Sequence, residues 1–480
     1  TENQLRLVKT GDGILTLTGV STYVGATTVS GGTLRMENGG RIASGSGVTI
    51  GSGATFEVET TDWTFGGAVS GTGALTKLGD GILTLTGSLK GFTGNAQIEN
   101  GVLRIQDAGG YGLAGSINIA SDAELQLGPT SGVNVSGSIT GSGPLHVLTG
   151  GFYRLSGNNS FTGDILLDGR IRVGSATALG NVNNAVTMGS GGYLDLYGWN
   201  TEIGSLAGGG TVRNESDGGA GSANPVVLTT GGNNASTTFT GIVQDGAGGR
   251  SVGLTKSGTG MFTLTGTSTY SGTTTVNSGT LQVEGSLSGT SGVTVEAGAT
   301  LGGSGLIAAT VSGSGLLSPG SSPGILAIDQ LDPSGGLDVA LEFTAAGSPD
   351  YGNASASIND VLRITDTTPF AQSLDAENTI DVYLDLTAPT AGDTFLGGFY
   401  TDTADDFLAS MENASLSYWV AGDGQGTDRT FNGQDYYSLE NYASWLSVDL
   451  ATVAETADFG SGLIYGRIAQ FTVVPEPATA

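Results

Sequence analysis

One pattern recurs four times along the 480-residue chain, and a recurrence of that length points to a fold made by stacking like units. The first copy sets Lys9, Gly11, Gly13, Leu17, Gly19, Tyr23, Gly25, Val29, Gly32 and Leu34 in order. The second repeats the spacing with Lys77, Gly79, Gly81, Leu85, Gly87, Phe92, Gly94, Ile98, Gly101 and Leu103. The fourth does so with Lys256, Gly258, Gly260, Leu264, Gly266, Tyr270, Gly272, Val276, Gly279 and Leu281. A worn third copy runs from Leu145 through Gly157, Phe161, Gly163 and Gly169 to Val173. A second motif follows each copy, around Ile50 and Phe56, Ile119 and Leu125, Met188 and Leu194, and Val295 and Leu301.

Inside each piece apolar and Ser/Thr residues alternate, as in Ile14, Leu15, Thr16, Leu17 and Thr18. Alternation with period two sends apolar side chains to one face of a strand and hydroxyls to the other. Gly is 86 of the 480 residues, roughly two and a half times its usual share, and supplies the tight corners between short strands. A single coil of such strands cannot bury its apolar row. Equivalent coils stacked about 4.8 Å apart bury it and pair each backbone group with a neighbour. The expected fold is all-β, a right-handed parallel β-helix. Cys is absent, so ladders and stacking, not disulfides, must hold it.

The spaced pattern of Lys, Gly, Gly, Leu-Thr-Leu, Gly, Tyr or Phe, Gly, Val and Gly-x-Leu resembles the autotransporter-associated β-strand repeat. Residues 230–246 resemble the connecting coil found between such repeats, and residues 315–326 resemble their closing element. The likeness spans residues 5–328 and implies a secreted or surface-displayed solenoid, as in autotransporter passengers. No 12-strand outer-membrane barrel pattern follows it.

Composition changes near Ile325. Residues 325–480 hold 24 acidic and 3 basic residues and 18 of the 33 aromatics, and show no repeat. Runs such as residues 337–343, 380–386 and 463–468 read as antiparallel strands with one wet face, and residues 405–411 as a short helix. The expected organisation is a solenoid over 1–328, an acidic, aromatic-rich β-sandwich-like capping domain over 329–472, and a tail over 473–480. In that tail Pro475, Glu476 and Pro477 resemble the start of a PEP-CTERM sorting signal without its helix and basic end. This implies removal by an exosortase-type step or trimming. Thr1 opens on no signal peptide, and no stretch of 18 apolar residues exists to span a membrane as a helix.

Net charge is −28, from 44 acidic against 16 basic residues, which argues against nucleic acid or an anionic membrane as partner. The lone histidine, His146, reads as a solvent-facing strand residue and not as part of a catalytic triad. Asp12 and Asp80 read as turn residues in Gly-Asp-Gly. Asp423, Asp428 and Asp435 lie in an acidic loop region with a partial oxygen-ligand pattern, a candidate Ca²⁺ site. Lys9, Lys77 and Lys256 form a basic row that could hold anionic polysaccharide. The preferred reading turns them outward, paired with carboxylates or blunting strand edges. Tyr23, Phe92, Phe161 and Tyr270 read as a structural ladder, and Tyr418, Trp419 and Trp445 as core.

Charged groups are too scattered along the coils for a polysaccharide-degrading enzyme, so no catalytic residue is assigned. The expectation is an extracellular bacterial structural protein that self-associates head to tail into filaments or a matrix, with extracellular polysaccharide or cell-surface components as further partners. The alternative is an adhesin that binds glycan or protein through Tyr436, Tyr437 or Trp445.

Overall fold

The computed structural model describes residues 5–59, 61–106, 114–215, 225–320, 324–332 and 335–343. Beyond these it describes the strands Val361–Ile364, Thr379–Leu386, Thr394–Thr401, Ser415–Ala421, Arg429–Phe431, Gln434–Ser438, Leu446–Glu455 and Ile464–Val473. Among the described residues there is no α-helix. The chain divides into two compact units, Thr1–Asn233 with Thr240–Ser251, and Asn234–Phe239 with Val252–Ala480.

The first unit is a parallel β-solenoid. Leu7 stands beside Thr27, Thr27 beside Val48 and Val48 beside Val69, so one coil takes 20 or 21 residues. Alternation does what period two demands. In the strand Thr33–Glu37 Leu34 and Met36 are buried, while Thr33, Arg35 and Glu37 face outward. Ile117–Ile119 and Ala123–Leu127 behave in the same way. Each fully buried Val, Ile or Leu adds roughly 1.5–3 kcal/mol relative to exposure, and only stacked coils can collect it.

Each repeat becomes one four-rung ladder. The rungs are Lys9, Val29, Ile50 and Gly71 in the first copy, and Lys77, Ile98, Ile119 and Gly141 in the second. The third, read as worn, keeps the ladder with Val147, Leu167, Met188 and Gly208. In the second unit the fourth copy has Lys256, Val276, Val295 and Gly313. The glycine at the last rung is obligatory. At Gly71, Gly141 and Gly313 φ is +106°, +99° and +127°. A Cβ at these positions would stand 2.0 Å from the carbonyl oxygen of Ile50, Ile119 or Val295.

The second unit is built likewise, with Val252–Lys256, Thr274–Val276, Val293–Val295 and Leu306–Gly313 in one parallel sheet. Parallel pairing does not end near residue 328. Ile325–Asp332 lies parallel to Leu306–Gly313 and to Val361–Ile364. Asp338–Phe343 lies parallel to Leu316–Pro319 and Thr379–Leu386, and the latter to Ser415–Ala421. Antiparallel strands, expected throughout 329–472, begin later. Ile464–Val473 pairs with Thr394–Thr401 and Leu446–Glu455, and Gln434–Ser438 with Ser415–Ala421 and Arg429–Phe431. The sequence misleads here because a solenoid strand also has one buried and one wet face, so alternation does not separate it from an antiparallel strand. The expected sandwich and the helix over 405–411 draw on many residues outside the described ones.

Candidate functional site

The recurrent lysines point inward, which corrects the outward reading. Lys77 and Lys256 are fully buried and Lys9 is 7% exposed. Each ε-ammonium closes a corner by donating to three backbone carbonyls. Lys77 Nζ reaches the oxygens of Leu78 (2.7 Å), Gly79 (2.6 Å) and, one coil on, Asn100 (3.2 Å). Lys9 reaches Thr10, Gly11 and Gly31, and Lys256 reaches Ser257, Gly258 and Ser278. Gly11, Gly79 and Gly258 take φ of +71°, +68° and +67°, which turns their carbonyls toward the ammonium. Gly32, Gly101 and Gly279 press against that corner from the next coil, where a Cβ on Gly101 would lie 2.5 Å from the Gly79 oxygen.

Hydropathy misplaced these lysines because a charge on a strand reads as wet. The usable signal was the fixed sequence Lys-x-Gly, which puts three lone pairs within reach of one amine. Burial pushes the Lys256 ammonium down to about 8. Lys77 is lowered by the same burial, offset by the charges of Asp80 and Asp62. The fourth copy carries Thr259 where the second has Asp80, so Lys256 lacks that support.

Asp80 behaves as a turn residue, its Oδ1 accepting from Asn100 Nδ2 at 2.7 Å. Phe92, Phe161 and Tyr270 are buried core residues and Tyr23 is half-buried. They recur once per repeat, not once per coil. The tyrosines hydrogen-bond within their own coils, Tyr23 Oη to Thr27 Oγ1 at 2.8 Å and Tyr270 Oη to Thr274 Oγ1 at 2.6 Å. Burial raises both phenols above their ordinary range. Gly13, Gly19, Gly81, Gly87, Gly260 and Gly266 occupy their coil positions, and a Cβ on Gly87 would lie 2.1 Å from the Gly67 oxygen.

Asp423, Asp428, Pro475, Glu476 and Pro477 lie outside the described residues. The backbone of Asp435 pairs with Thr430. Among the described residues no group of three or more acidic, histidine or cysteine side chains is arranged to hold a metal ion. His146 is half-buried and held between neighbouring coils, Nε2 2.8 Å from Asp168 Oδ2 and Nδ1 3.3 Å from Glu124 Oε1.

The densest outward chemistry lies on the third copy. The strands Gly151–Leu155, Arg170–Val173, Tyr193–Asp195 and Thr211–Arg213 stack in parallel. They bring Phe152, Arg170 and Tyr193 into one outward row, and Arg154, Arg172, Asp195 and Arg213 into the next. The Arg170 guanidinium is sandwiched between the Phe152 and Tyr193 rings, 4.6 and 4.5 Å from their centroids. Arg172 lies 4.3 Å from the Tyr197 ring and Arg154 5.6 Å. Fully buried Asp195 joins both rows. Its Oδ2 accepts from Arg170 at 2.8 Å and Arg172 at 2.9 Å, and its Oδ1 from the Glu215 and Tyr197 amides. Burial, then the nearby Glu215 carboxylate, pushes the Tyr193 phenol up to about 12.

This face was absent from the sequence reading, although part of it was available. An outward arginine recurs one coil before an acceptor. Arg35 bonds Glu57 at 2.6 Å, Arg104 bonds Gln126 at 2.8 Å, and Arg172 bonds Asp195.

Residues 7–36, 75–105 and 254–283 match the passenger-associated-transport-repeat family. These are the three lysine-bearing copies. Over 220 residues, 45% of this chain, the sequence is 31% identical to the adhesin BmaC autotransporter of Brucella suis biovar 1 (strain 1330). The matched stretch spans 6% of that relative's length. The chain is thus a β-solenoid with passenger-type repeats, similar to part of an autotransporter adhesin.

Proposed function

We propose that this chain is a bacterial cell-surface module that works by adhesion, with its coils as scaffold and its outward side-chain rows as contact surface. One observation carries the reading. The third copy keeps the ladder of the others while its outward face is rebuilt with arginine and aromatic side chains. Stacking alone does not ask for that change. The adhesin relative supports the same direction. Antibody labelling of intact producing cells, with attachment measured in the presence of excess purified chain, tests it. Labelled cells whose attachment the purified chain competes away are expected. Surface-exposed chain with no effect on attachment would refute adhesion. Retention at the surface through Pro475, Glu476 and Pro477 is the corresponding proposal for anchoring.

A further inference from the structure

The four copies serve as internal controls for one another. Where the first, second and fourth place Thr16, Thr84 and Thr263 beside Arg35, Arg104 and Gln282, the third places Arg154 beside Arg172. Where they place Thr33, Val102 and Thr280, it places Arg170. The coil is built three times without Arg154 and Arg170, so the fold does not need them. Two guanidinium groups directly across a strand pair repel, and Asp195 serves Arg170 and Arg172. Exposed Arg154 has no carboxylate partner among the described residues. In a chain of net charge −28, this is a locally basic face.

We infer that this face binds an acidic polysaccharide, one whose sugars carry carboxylate or sulfate groups. Arg154, its Cζ 5.6 Å from the Tyr197 ring centroid, has guanidinium N–H donors not taken by a carboxylate of the described residues, and such donors match an oxyanion in bidentate fashion. Arg154 is exposed, while Arg172 on the next coil, about 4.8 Å away, keeps only 11% of its side chain exposed and is paired with Asp195, so Arg154 is the cation open to an extended polyanion. Trp199, two residues beyond Tyr197 and 39% exposed, offers an apolar surface for a sugar ring. Charge favours this partner over a neutral glycan, and the inference deepens the adhesive reading, on which it rests.

The test titrates the purified full chain with oligogalacturonate, with a sulfated galactan oligosaccharide and with neutral galactan. The charged oligosaccharides bind, more weakly as salt rises, and the neutral one does not. The first two arms separate carboxylate from sulfate recognition. Arg154→Thr installs the residue that three other copies carry, so the coil folds. It weakens binding about tenfold, as loss of one charge-assisted contact implies, whereas Arg35→Gln leaves binding unchanged. Equal binding by Arg154→Thr and wild type, or by neutral and charged glycans, overturns the inference. So does a chain that ignores all three glycans but loses self-association in sedimentation on Arg154→Thr, since the partner is then a second copy. Attachment to cells without binding to charged oligosaccharides removes this inference and leaves adhesion standing. Binding without attachment does the reverse.

Discussion

Replacing Lys77 with valine tests whether the buried ammonium holds the corner or is merely tolerated there. Three carbonyls lose a charge-assisted donor, each such bond being worth about 1.5–3 kcal/mol. Against this, burying an ammonium costs several kcal/mol, and Lys77→Val recovers that cost. The shorter side chain leaves a cavity in a site with no exposure, adding about 1 kcal/mol. The balance is a loss of about 3 kcal/mol, roughly a hundredfold increase in local opening of that coil. Hydrogen exchange read on the strands Ala74–Leu78 and Ala96–Ile98 measures it. The third copy supplies the rescue. Val147 stands at the lysine position, and there the corner is closed by the Gly151 amide donating to the Leu148 carbonyl, with positive φ moved to Gly150. Adding Gly79→Thr and Asp80→Gly to Lys77→Val rebuilds that corner and should return protection to within about tenfold of wild type, each tenfold being 1.4 kcal/mol. Unchanged protection in Lys77→Val, or a triple variant no better than the single one, would refute the argument.

Lys256 predicts a pH dependence of opposite sense to a lysine in a salt bridge. Its folded value of about 8 lies below the unfolded value near 10.5, so between them the unfolded chain binds more protons and stability rises with pH. The penalty is full below about pH 8. The melting temperature of wild type relative to Lys256→Met should therefore climb from about pH 7.5 to 10, and a flat difference would contradict it. Gly141→Ala meets the Ile119 oxygen at 2.0 Å and should cost about 3 kcal/mol or more, whereas Gly11→Ala, with nothing within 4 Å, costs only its left-handed backbone, about 1–2 kcal/mol. Thermal melts of the two variants rank them. Asp195→Asn takes the charge from a fully buried carboxylate that two guanidinium groups share, and should lower stability by about 2–3 kcal/mol in the same assay.

The repeat made the parallel ladder legible because spacing, Gly corners and period-two burial agree at every level, from Leu34 to Leu281. Three things were not legible. Lys9, Lys77 and Lys256 looked solvated because sequence patterns treat charge as a surface property, while three converging carbonyls take up the donors of one buried ammonium. The extent of parallel pairing beyond residue 328 was hidden because the motif fades while the pairing persists, and pairing is a property of neighbouring coils that no single strand encodes. The arginine and aromatic face was hidden because Arg154, Arg172 and Asp195 are separated in sequence by one coil each and meet only through register.

The third copy ties these points together. It has lost the lysine, the Lys-x-Gly corner and the match to the passenger-type repeat, yet its ladder from Val147 to Gly208 is intact. Inward and outward requirements are therefore separable in this solenoid. The inward one fixes a lysine or valine at the first rung, apolar residues at the next two and a glycine at the fourth, and either corner chemistry satisfies it. The outward one is free wherever neighbouring coils can satisfy each other's side chains, as Arg35 with Glu57 and Arg104 with Gln126 do. On the third copy cations are in excess. Arg154, Arg170, Arg172 and Arg213 outnumber Asp195 and Glu215 on one face, and aromatic rings, not further carboxylates, hold the excess guanidinium groups in place. A coil that needed only to stack would have the simpler arrangement used in the other copies. The imbalance is what a polyanionic partner would complete.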